Sequence, residues 1–299
     1  MRFFQNHFFR EDSNIYFSGI DIGSTMTKVV IVDSDEKTCS AIIGPTGAEH
    51  RHLSNRVMRD ALEKAALTFS DISYVVATGY GRINVPFADR QITELTCHAR
   101  GISSMFPNVR TVIDIGGQDA KGLKIKDGKL TDFIMNDRCA AGTGRFLDVL
   151  VDTLGVRIED LGPISLKSTQ KVVISSLCTI FAQMEIRTRL SQGTPLPDIV
   201  AGLHDSIADR VFKMAKKLKI EPDVVFTGGV AKNVGVVKAL EEHIGFKIYV
   251  PEEPLLTGAL GAALIGKEFA LKAIAKGEPI HKKELRLDEA TTFFQSETS

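Results

Sequence analysis

The sequence lacks an excess of charge of either sign and lacks a long apolar run. Lys plus Arg and Asp plus Glu number 37 each, so the formal net charge is zero at pH 7. No overall charge therefore draws the chain to nucleic acid or to an anionic membrane, and we expect neither as a partner. The longest uncharged stretch near the C-terminus, residues 255–266, is too short to span a bilayer.

The beginning of the chain lacks the continuous apolar segment of a secretory signal peptide. Residues 1–14 are rich in aromatic side chains but are interrupted by charge. We therefore expect a loosely held, peripheral extension there, and a cytoplasmic protein as the default.

Cysteine is scarce. The 299 residues include four cysteines, Cys39, Cys97, Cys139 and Cys178, and no CxxC pair. So few cysteines do not make a disulfide scaffold, and a reducing compartment would keep them as thiols. The composition, 43% hydrophobic and 25% charged, is typical of a globular protein with one large or two ordinary cores.

Two common nucleotide-binding motifs are absent. The sequence has no G-x-x-x-x-G-K-[ST], which excludes a P-loop protein, and no G-x-G-x-x-G after a strand, which disfavours a dinucleotide fold. Instead, three apolar strands end in glycine turns, at residues 21–23, 114–116 and 227–229. Glycine lets the chain turn tightly and lets an anion approach backbone N–H groups, so these turns are candidates for phosphate binding.

The first two of these turns open matching units. Each unit reads as strand, Asp-Ile-Gly turn and strand, with a lysine five residues after the glycine, Lys28 and Lys121. An internal repeat of this kind argues for two related halves that face each other. Asp21 and Asp114 end the first strand of each unit, where carboxylates can hold a hydrated Mg²⁺. We therefore predict that the two halves bind a nucleotide between them.

Apolar patterning predicts the other elements. Strands are expected near residues 40–43, 74–77, 173–174 and 247–250, and helices near 54–66, 93–104, 197–217 and 257–274. Cys139 and Cys178 each precede a predicted helix, and a helix N-terminus stabilises a thiolate. Cys39 is expected in a hairpin turn, and Cys97 in the buried face of a helix.

The motifs resemble the phosphate and adenosine motifs of the superfamily of actin, Hsp70 and the acetate and sugar kinases. Segments 78–82, 114–119, 135–146, 175–179 and 227–233 are similar to the activators of 2-hydroxyacyl-CoA dehydratases and the related ATPase subunits of benzoyl-CoA reductase. The resemblance implies an α/β fold of two actin-like, ribonuclease H-like halves with a nucleotide cleft between them. We expect the halves at 15–108 and 109–256, with helix 257–274 returning to the first half and 277–299 peripheral.

The same resemblance implies that ATP and Mg²⁺ bind in the cleft. The candidate cofactor-binding residues are Asp21, Gly23, Ser24, Thr25, Lys28, Asp114, Gly116, Gly117, Gly142, Gly144, Gly228, Gly229 and Asn233. Gln118 and Asp119 follow the second turn and are the candidate catalytic residues, because either could orient the attacking water. The alternative, that both only shape the turn, is equally open.

Cys139 and Cys178 are the candidate metal ligands. Thiolates bind iron–sulfur clusters, and a cubane cluster takes four, so two cysteines are half a set. Cys39 and Cys97 could complete it, or a second subunit could, and a two-fold axis is the simpler solution. The resemblance implies the dimer, with one [4Fe-4S] cluster per homodimer.

The resemblance also implies a function. Reduced ferredoxin or flavodoxin would supply an electron, ATP would reorganise the dimer, and the electron would pass to a partner iron–sulfur enzyme. A 2-hydroxyacyl-CoA dehydratase is the favoured acceptor, and a benzoyl-CoA reductase component is the alternative. A small-molecule kinase would need a carboxylate base and a substrate pocket that the sequence does not reveal. An actin- or chaperone-like structural ATPase is the remaining alternative.

Overall fold

The computed structural model describes residues 15–170, 172–175, 178–280 and 287. The predicted extension 1–14 and most of the predicted tail 277–299 lie outside these residues, as does Ser176 of the motif at 175–179. Within the described part of the chain, no helix is both long and apolar enough to cross a membrane.

The N-terminal half folds around five strands. They are β1 (Tyr16–Ile22), β2 (Met26–Val32), β3 (Thr38–Pro45), β4 (Ile72–Thr78) and β5 (Arg90–Gln91). In the sheet they follow the order β3-β2-β1-β4-β5, with β1 antiparallel to β2 and parallel to β4. Almost every residue of β1 and β2 is buried, as expected for central strands covered on both faces.

The C-terminal half repeats this topology. Its strands are β6 (Thr111–Ile115), β7 (Ala120–Lys126), β8 (Lys129–Asn136), β9 (Val224–Thr227) and β10 (Ile248–Tyr249). They follow the order β8-β7-β6-β9-β10, with β6 antiparallel to β7 and parallel to β9. The shared strand order confirms the predicted α/β fold of two duplicated halves.

Eight α-helices cover the sheets in the described part of the chain. They are α1 (His50–Ala65), α2 (Glu94–Met105), α3 (Gly144–Leu154), α4 (Leu161–Ser165), α5 (Thr179–Ser191), α6 (Leu196–Ala215), α7 (Val234–Ile244) and α8 (Thr257–Lys276). Ile102 of α2 shares a core cluster with Leu123 of the second sheet. Ala263 of α8 shares another with Val76 of the first sheet. These two helices therefore connect the halves through apolar contacts.

Several local predictions are wrong. Strand β8 was not predicted, because it is an edge strand whose side chains are mostly exposed and so show no apolar run. Helix α1 begins at His50 rather than near residue 54, since its first turn is polar. Cys39 lies in β3 rather than in a hairpin turn.

The strand predicted at residues 173–174 is also wrong, since residues 172–175 form no strand. The carbonyl group of Val172 lies against α6 so closely that a side chain at Gly202 would overlap it. The N–H of Ser175 donates to the carboxylate of Glu185 on α5. Because this segment runs over helices and not along a sheet edge, its apolar residues have no strand to pair with.

Helices α2 and α8 cross with their backbones in contact. A side chain at Gly101 would overlap the carbonyl oxygen of Thr257, and a side chain at Gly261 would overlap that of Cys97. Glycine is therefore required on both helices at the crossing, because only hydrogen atoms fit between them.

Replacing Gly261 with Ala is expected to destabilise the fold by about 1–3 kcal/mol, because the new methyl group has no space in the helix crossing. The denaturant midpoint at unchanged m-value measures the loss. Gly266→Ala is the matched control, since it lies in the same helix and its Cβ would be 3.4 Å from the nearest atom, Val76 Cγ2. An equal loss in both variants would contradict the backbone contact.

His204 is buried where α6 meets α7. Its Nε2 lies 3.1 Å from the side-chain nitrogen of Asn233, and its Nδ1 has no hydrogen-bond partner in the described part of the chain. Burial lowers the pKa of His204 to about 4. The ring is therefore neutral near pH 7 and accepts a hydrogen bond at Nε2.

His204 should make the fold sensitive to acid. The unfolded chain takes up this proton near pH 6.5, whereas the folded chain takes it up only near pH 4. The part of the folding stability that depends on neutral His204 is therefore fully present above pH 6.5, and it is lost as the pH falls from 6.5 toward 4. Between pH 7 and 5, His204→Gln should lose about 2 kcal/mol less than wild type in urea unfolding. His52→Gln, at an exposed histidine of α1, is the control. If His204→Gln loses as much stability between pH 7 and 5 as the wild type, the acid sensitivity does not come from His204.

Candidate functional site

The β1–β2 and β6–β7 hairpins end in matching turns. In each, the glycine N–H donates to the carbonyl oxygen three residues on, at 3.1 Å for Gly23 and 2.9 Å for Gly116. The two turns face each other, since a side chain at Gly117 would overlap the hydroxyl group of Thr25. Ser24 is exposed at the tip of the first turn. The structure thus brings both predicted phosphate turns to one place.

An aspartate and a lysine pair beside each turn. The Nζ of Lys28 lies 3.0 Å from Asp21 Oδ2, and that of Lys121 lies 3.6 Å from Asp114 Oδ2. All four residues are less than 10% exposed, so neither lysine points outward from its strand. The reason is the hairpin register, which sets each aspartate directly opposite its lysine across the two strands.

Asp114 is ionised despite its burial. Thr227 at the end of β9 donates its hydroxyl to Asp114 Oδ1 at 2.9 Å. Burial by itself raises the pKa of Asp114, but His98, Lys121 and Thr227 together hold it below its usual range. Burial likewise opposes the charge of Lys121, yet the carboxylates of Asp114 and Asp119 raise its pKa. The site therefore keeps its opposite charges in pairs.

Two carboxylates suit a hydrated divalent cation. Asp21 and Asp114 come from different halves, and the described residues contain no cluster of three or more His, Cys, Asp or Glu side chains that could enclose a metal. Mg²⁺ keeps several waters and needs only one or two protein carboxylates together with phosphate oxygens. The donor set therefore fits Mg²⁺ bound with a nucleotide.

The two candidate catalytic residues differ in their contacts. Gln118 is exposed at the tip of the second turn. The carboxylate of Asp119 accepts a hydrogen bond from Lys121 at 2.6 Å. Of the two side chains, that of Gln118 is thus exposed at the turn, whereas that of Asp119 is held by the buried lysine.

The third glycine turn follows β9. Gly228 has φ +84°, and a side chain there would overlap the backbone of Ile115, so only glycine fits. Gly229 is exposed and begins a short 3-10 helix. Asn233 caps α7, accepting from the N–H of Gly235 at 3.0 Å, and its amide also contacts α6. The side chain of Asn233 therefore shapes this turn through contacts within the protein.

The two candidate ligands lie at different positions relative to their helices. Cys178 is the N-cap residue of α5, as predicted. Cys139 is not at a helix N-terminus, because α3 begins at Gly144 after the N-cap residue Thr143. Gly142, with φ +87°, separates them, and its left-handed conformation prevents the helix from extending back to Cys139.

The loop of Cys139 is attached to the second phosphate turn. The first two N–H groups of α3, those of Gly144 and Arg145, donate to the carbonyl groups of that turn at 2.9 and 2.8 Å. At the other end, the side chain of Asn136 donates to the carbonyl oxygen of Cys139 at 3.0 Å. A displacement of the turn would therefore be transmitted to the cysteine loop through backbone hydrogen bonds.

The other two cysteines lie in the first half of the chain. Cys97 is fully buried in a core cluster, and burial raises the pKa of its thiol to about 12. Cys39 is exposed on β3, with its Sγ 3.6 Å from the carbonyl oxygen of Lys37. As expected from its helical pattern, Cys97 is a core residue.

Sequence reasoning missed two features of this site. The Asp–Lys pairs could have been found, since a tight hairpin places residues 21 and 28 opposite each other. No local sequence pattern indicates that His98 lies near this site. Its Nδ1 lies 2.9 Å from the hydroxyl of Thr257, a contact between residues 159 positions apart.

The chain is similar to proteins of known activity. The 2-hydroxyisocaproyl-CoA dehydratase activator of Clostridioides difficile is 48% identical over 256 residues, covering 84% of this chain and 94% of that protein. The (R)-2-hydroxyglutaryl-CoA dehydratase activating ATPase of Acidaminococcus fermentans is 47% identical over 268 residues, covering 88% and 100%. A subunit of the benzoyl-CoA reductase of Thauera aromatica is 33% identical over 261 residues, covering 83% and 92%.

A solved structure shares the fold. The activator of the 2-hydroxyisocaproyl-CoA dehydratase from Clostridium difficile, with bound ADPNP, superposes with a TM-score of 0.83 at 46% identity, covering 87% of this chain and 97% of that one. Residues 18–266 match a family whose members are ATPases. The resemblance expected from the motifs is thereby confirmed, and the chain belongs to the BadF/BadG/BcrA/BcrD ATPase family.

Proposed function

We propose that this chain is the ATP-hydrolysing, one-electron activator of a 2-hydroxyacyl-CoA dehydratase. The observation that carries the proposal is the hydrogen bonding of Gly144 and Arg145 to the second phosphate turn. It provides a direct structural connection between a nucleotide site and Cys139. The high identity to two dehydratase activators supports the same conclusion. The two halves are taken as 15–108 with 257–274, and 109–256.

ATP binds with Mg²⁺ where the three glycine turns meet. The N–H groups of the turns at 23–25 and 116–117 receive the phosphates, and the turn at 228–229 receives the nucleoside. Asp21 and Asp114 hold Mg²⁺, whose charge is best met by oxygen ligands. Hydrolysis converts ATP and water to ADP and phosphate, and Gln118, assisted by Asp119, orients the water.

Cys139 and Cys178 are proposed as the protein ligands of a [4Fe-4S] cluster. Both thiols are partly buried, as befits ligands of a solvent-sensitive group, and α3 and α5 pack side by side, with Gln183 Nε2 donating to Thr153 Oγ1 at 3.4 Å. When bound, the cluster supplies one-electron transfer. The second half of the chain supplies these two thiols, and a second copy would supply the other two.

The face of α5 next to Cys178 supports a homodimer. Ile180, Phe181 and Met184 are 58–64% exposed there, and adjacent exposed apolar side chains are typical of an interaction surface. A two-fold axis passing near this face would pair the cysteines of both copies.

The proposed partners follow from the electron's path. A reduced ferredoxin or flavodoxin loses one electron, and the acyl-CoA dehydratase gains it, in the cytoplasm. A benzoyl-CoA reductase component is the alternative acceptor, because the chain is also 33% identical to a subunit of such a reductase. Reconstitution with each acceptor enzyme under anaerobic conditions distinguishes the two.

The cluster assignment predicts the iron content. The anaerobically purified wild-type dimer should be brown and contain about four iron atoms. Cys139→Ser should lose the iron and the colour while it still binds ATP, because the thiol is a ligand and the nucleotide turns are unchanged. Cys39→Ser, an exposed cysteine of the first half, should keep both. A colourless wild-type dimer with intact ATPase activity would contradict the cluster.

The water-orienting role predicts the kinetics of hydrolysis. Gln118→Ala should lower kcat at least about tenfold with little change in KM, since the lost contact acts on water and not on ATP. Asp119→Asn should lower kcat less, because Lys121 already holds that carboxylate. Glu63→Gln, an exposed residue of α1, is the control. A raised KM with wild-type kcat in Gln118→Ala would instead indicate a role in nucleotide binding.

A further inference from the structure

His98 is a buried histidine that reaches the nucleotide site from helix α2. It is 8% exposed. Its Nδ1 lies 2.9 Å from the hydroxyl of Thr257 at the start of α8. The opposite ring nitrogen, Nε2, must therefore face away from Thr257 and toward other groups. A buried polar atom is normally placed next to another polar group, so the groups that surround Nε2 indicate what this histidine does.

The carboxylate of Asp21 borders the same space as His98 Nε2. A Cβ placed on Gly258 would lie 3.0 Å from Asp21 Oδ2 and 3.1 Å from His98 Nε2. One small residue of α8 thus touches both groups at once. A second glycine, Gly79, closes the other side, since a side chain there would overlap Asp21 Oδ1. The carboxylate is enclosed by the histidine, by backbone and by Lys28.

The aspartate of the other half is also near this histidine. Burial raises the pKa of Asp114, and His98 is the strongest of the groups that lower it again. Lys121 and Lys28 act in the same direction. The imidazole therefore helps to keep Asp114 ionised.

We propose that His98 is a positioning residue for the nucleotide site, whose Nε2 orients the carboxylate of Asp21 for Mg²⁺. The proposal rests on the proposed binding of Mg²⁺ and ATP. Thr257 sets the ring orientation from Nδ1, which leaves Nε2 beside the space that Asp21 Oδ2 also borders. Carboxylates that bind a metal are commonly oriented by polar neighbours of this kind, and their removal typically costs 10–100-fold in metal affinity or activity.

The helix pair gives the histidine a rigid base. Helices α2 and α8 touch through Gly101 and Gly261, directly beside the contact between His98 and Thr257. A ring held on two helices whose backbones are in contact loses little entropy when it orients a carboxylate, so Asp21 is preorganised before the nucleotide arrives.

Two substitutions of similar shape test the roles of the two ring nitrogens separately. The amide of His98→Asn reaches the position of Nδ1, and the amide of His98→Gln reaches that of Nε2. If Nε2 positions Asp21, the Gln variant should keep Mg²⁺ affinity within about threefold, and the Asn variant should lose at least about tenfold. A purely structural histidine predicts equal losses in both variants.

A third variant acts without removing the imidazole. Gly258→Ala places a methyl group between His98 and Asp21 and should reduce Mg²⁺ affinity as His98→Asn does. Gly266→Ala in the same helix is the control, because its Cβ has ordinary contacts. Thermal unfolding of all four variants separates a loss of Mg²⁺ affinity from a loss of fold.

The measurement uses the anaerobically purified wild-type dimer and each variant. Calorimetric titration with Mg²⁺ and the non-hydrolysable analogue adenylyl imidodiphosphate gives the Mg²⁺ dependence of binding without turnover, and steady-state ATPase assays give kcat and KM. Weakened Mg²⁺ coupling in His98→Asn and Gly258→Ala, with His98→Gln and Gly266→Ala near wild type, is the expected result. Wild-type coupling in His98→Asn would overturn the inference alone. Failure of the wild type to bind the nucleotide with Mg²⁺ would instead overturn the proposed function.

Discussion

The site depends on one constraint: an aspartate is buried at the end of each half's central antiparallel hairpin strand. A carboxylate out of water is costly unless it is paired. Lys28 forms an ion pair with Asp21. Asp114 forms an ion pair with Lys121 and accepts a hydrogen bond from Thr227. Because the hairpin register fixes these pairs, the duplicated topology produces the same charged arrangement twice. The glycine turns have a separate cause, since a side chain at Gly117 would collide with Thr25 of the facing turn and one at Gly228 with the backbone of Ile115.

The second half adds what the first half lacks. Its hairpin turn is bonded to the start of α3 through backbone N–H groups, so the connection from the phosphate turn to the Cys139 loop does not depend on a particular side chain. The first half has no equivalent cysteine at its turn: Cys97 is in the core and Cys39 is on an edge strand. The duplication thus explains the paired hairpin turns, and the departure from symmetry explains why the proposed cluster ligand Cys139 lies beside the second turn and not the first.

The elements that could be predicted from the sequence are those that apolar periodicity or turn residues specify locally. The repeated Asp-Ile-Gly units, the central strands and the long helices α6 and α8 were predictable, because each has a local apolar pattern. Strand β8 was not, since an exposed edge strand lacks that pattern. The position of Cys139 was wrong because the left-handed turn at Gly142 interrupts the chain before α3. His98 was missed for another reason: its hydrogen-bond partner, Thr257, comes from α8, far away in sequence.

The distribution of these groups over the two halves supports a coupling mechanism. Asp21, and the helix α2 that carries His98, come from the N-terminal part of the chain, while Asp114 and the Cys139 loop come from the second half. A cation bound by both aspartates, as proposed, would therefore draw the halves together only while the nucleotide holds it. A relative rotation of the halves would move the second phosphate turn, and with it the start of α3 that is bonded to it, relative to Asp21 and the first turn. Both proposed thiol ligands belong to the second half of the chain, so such a rotation would displace both of them relative to the first half.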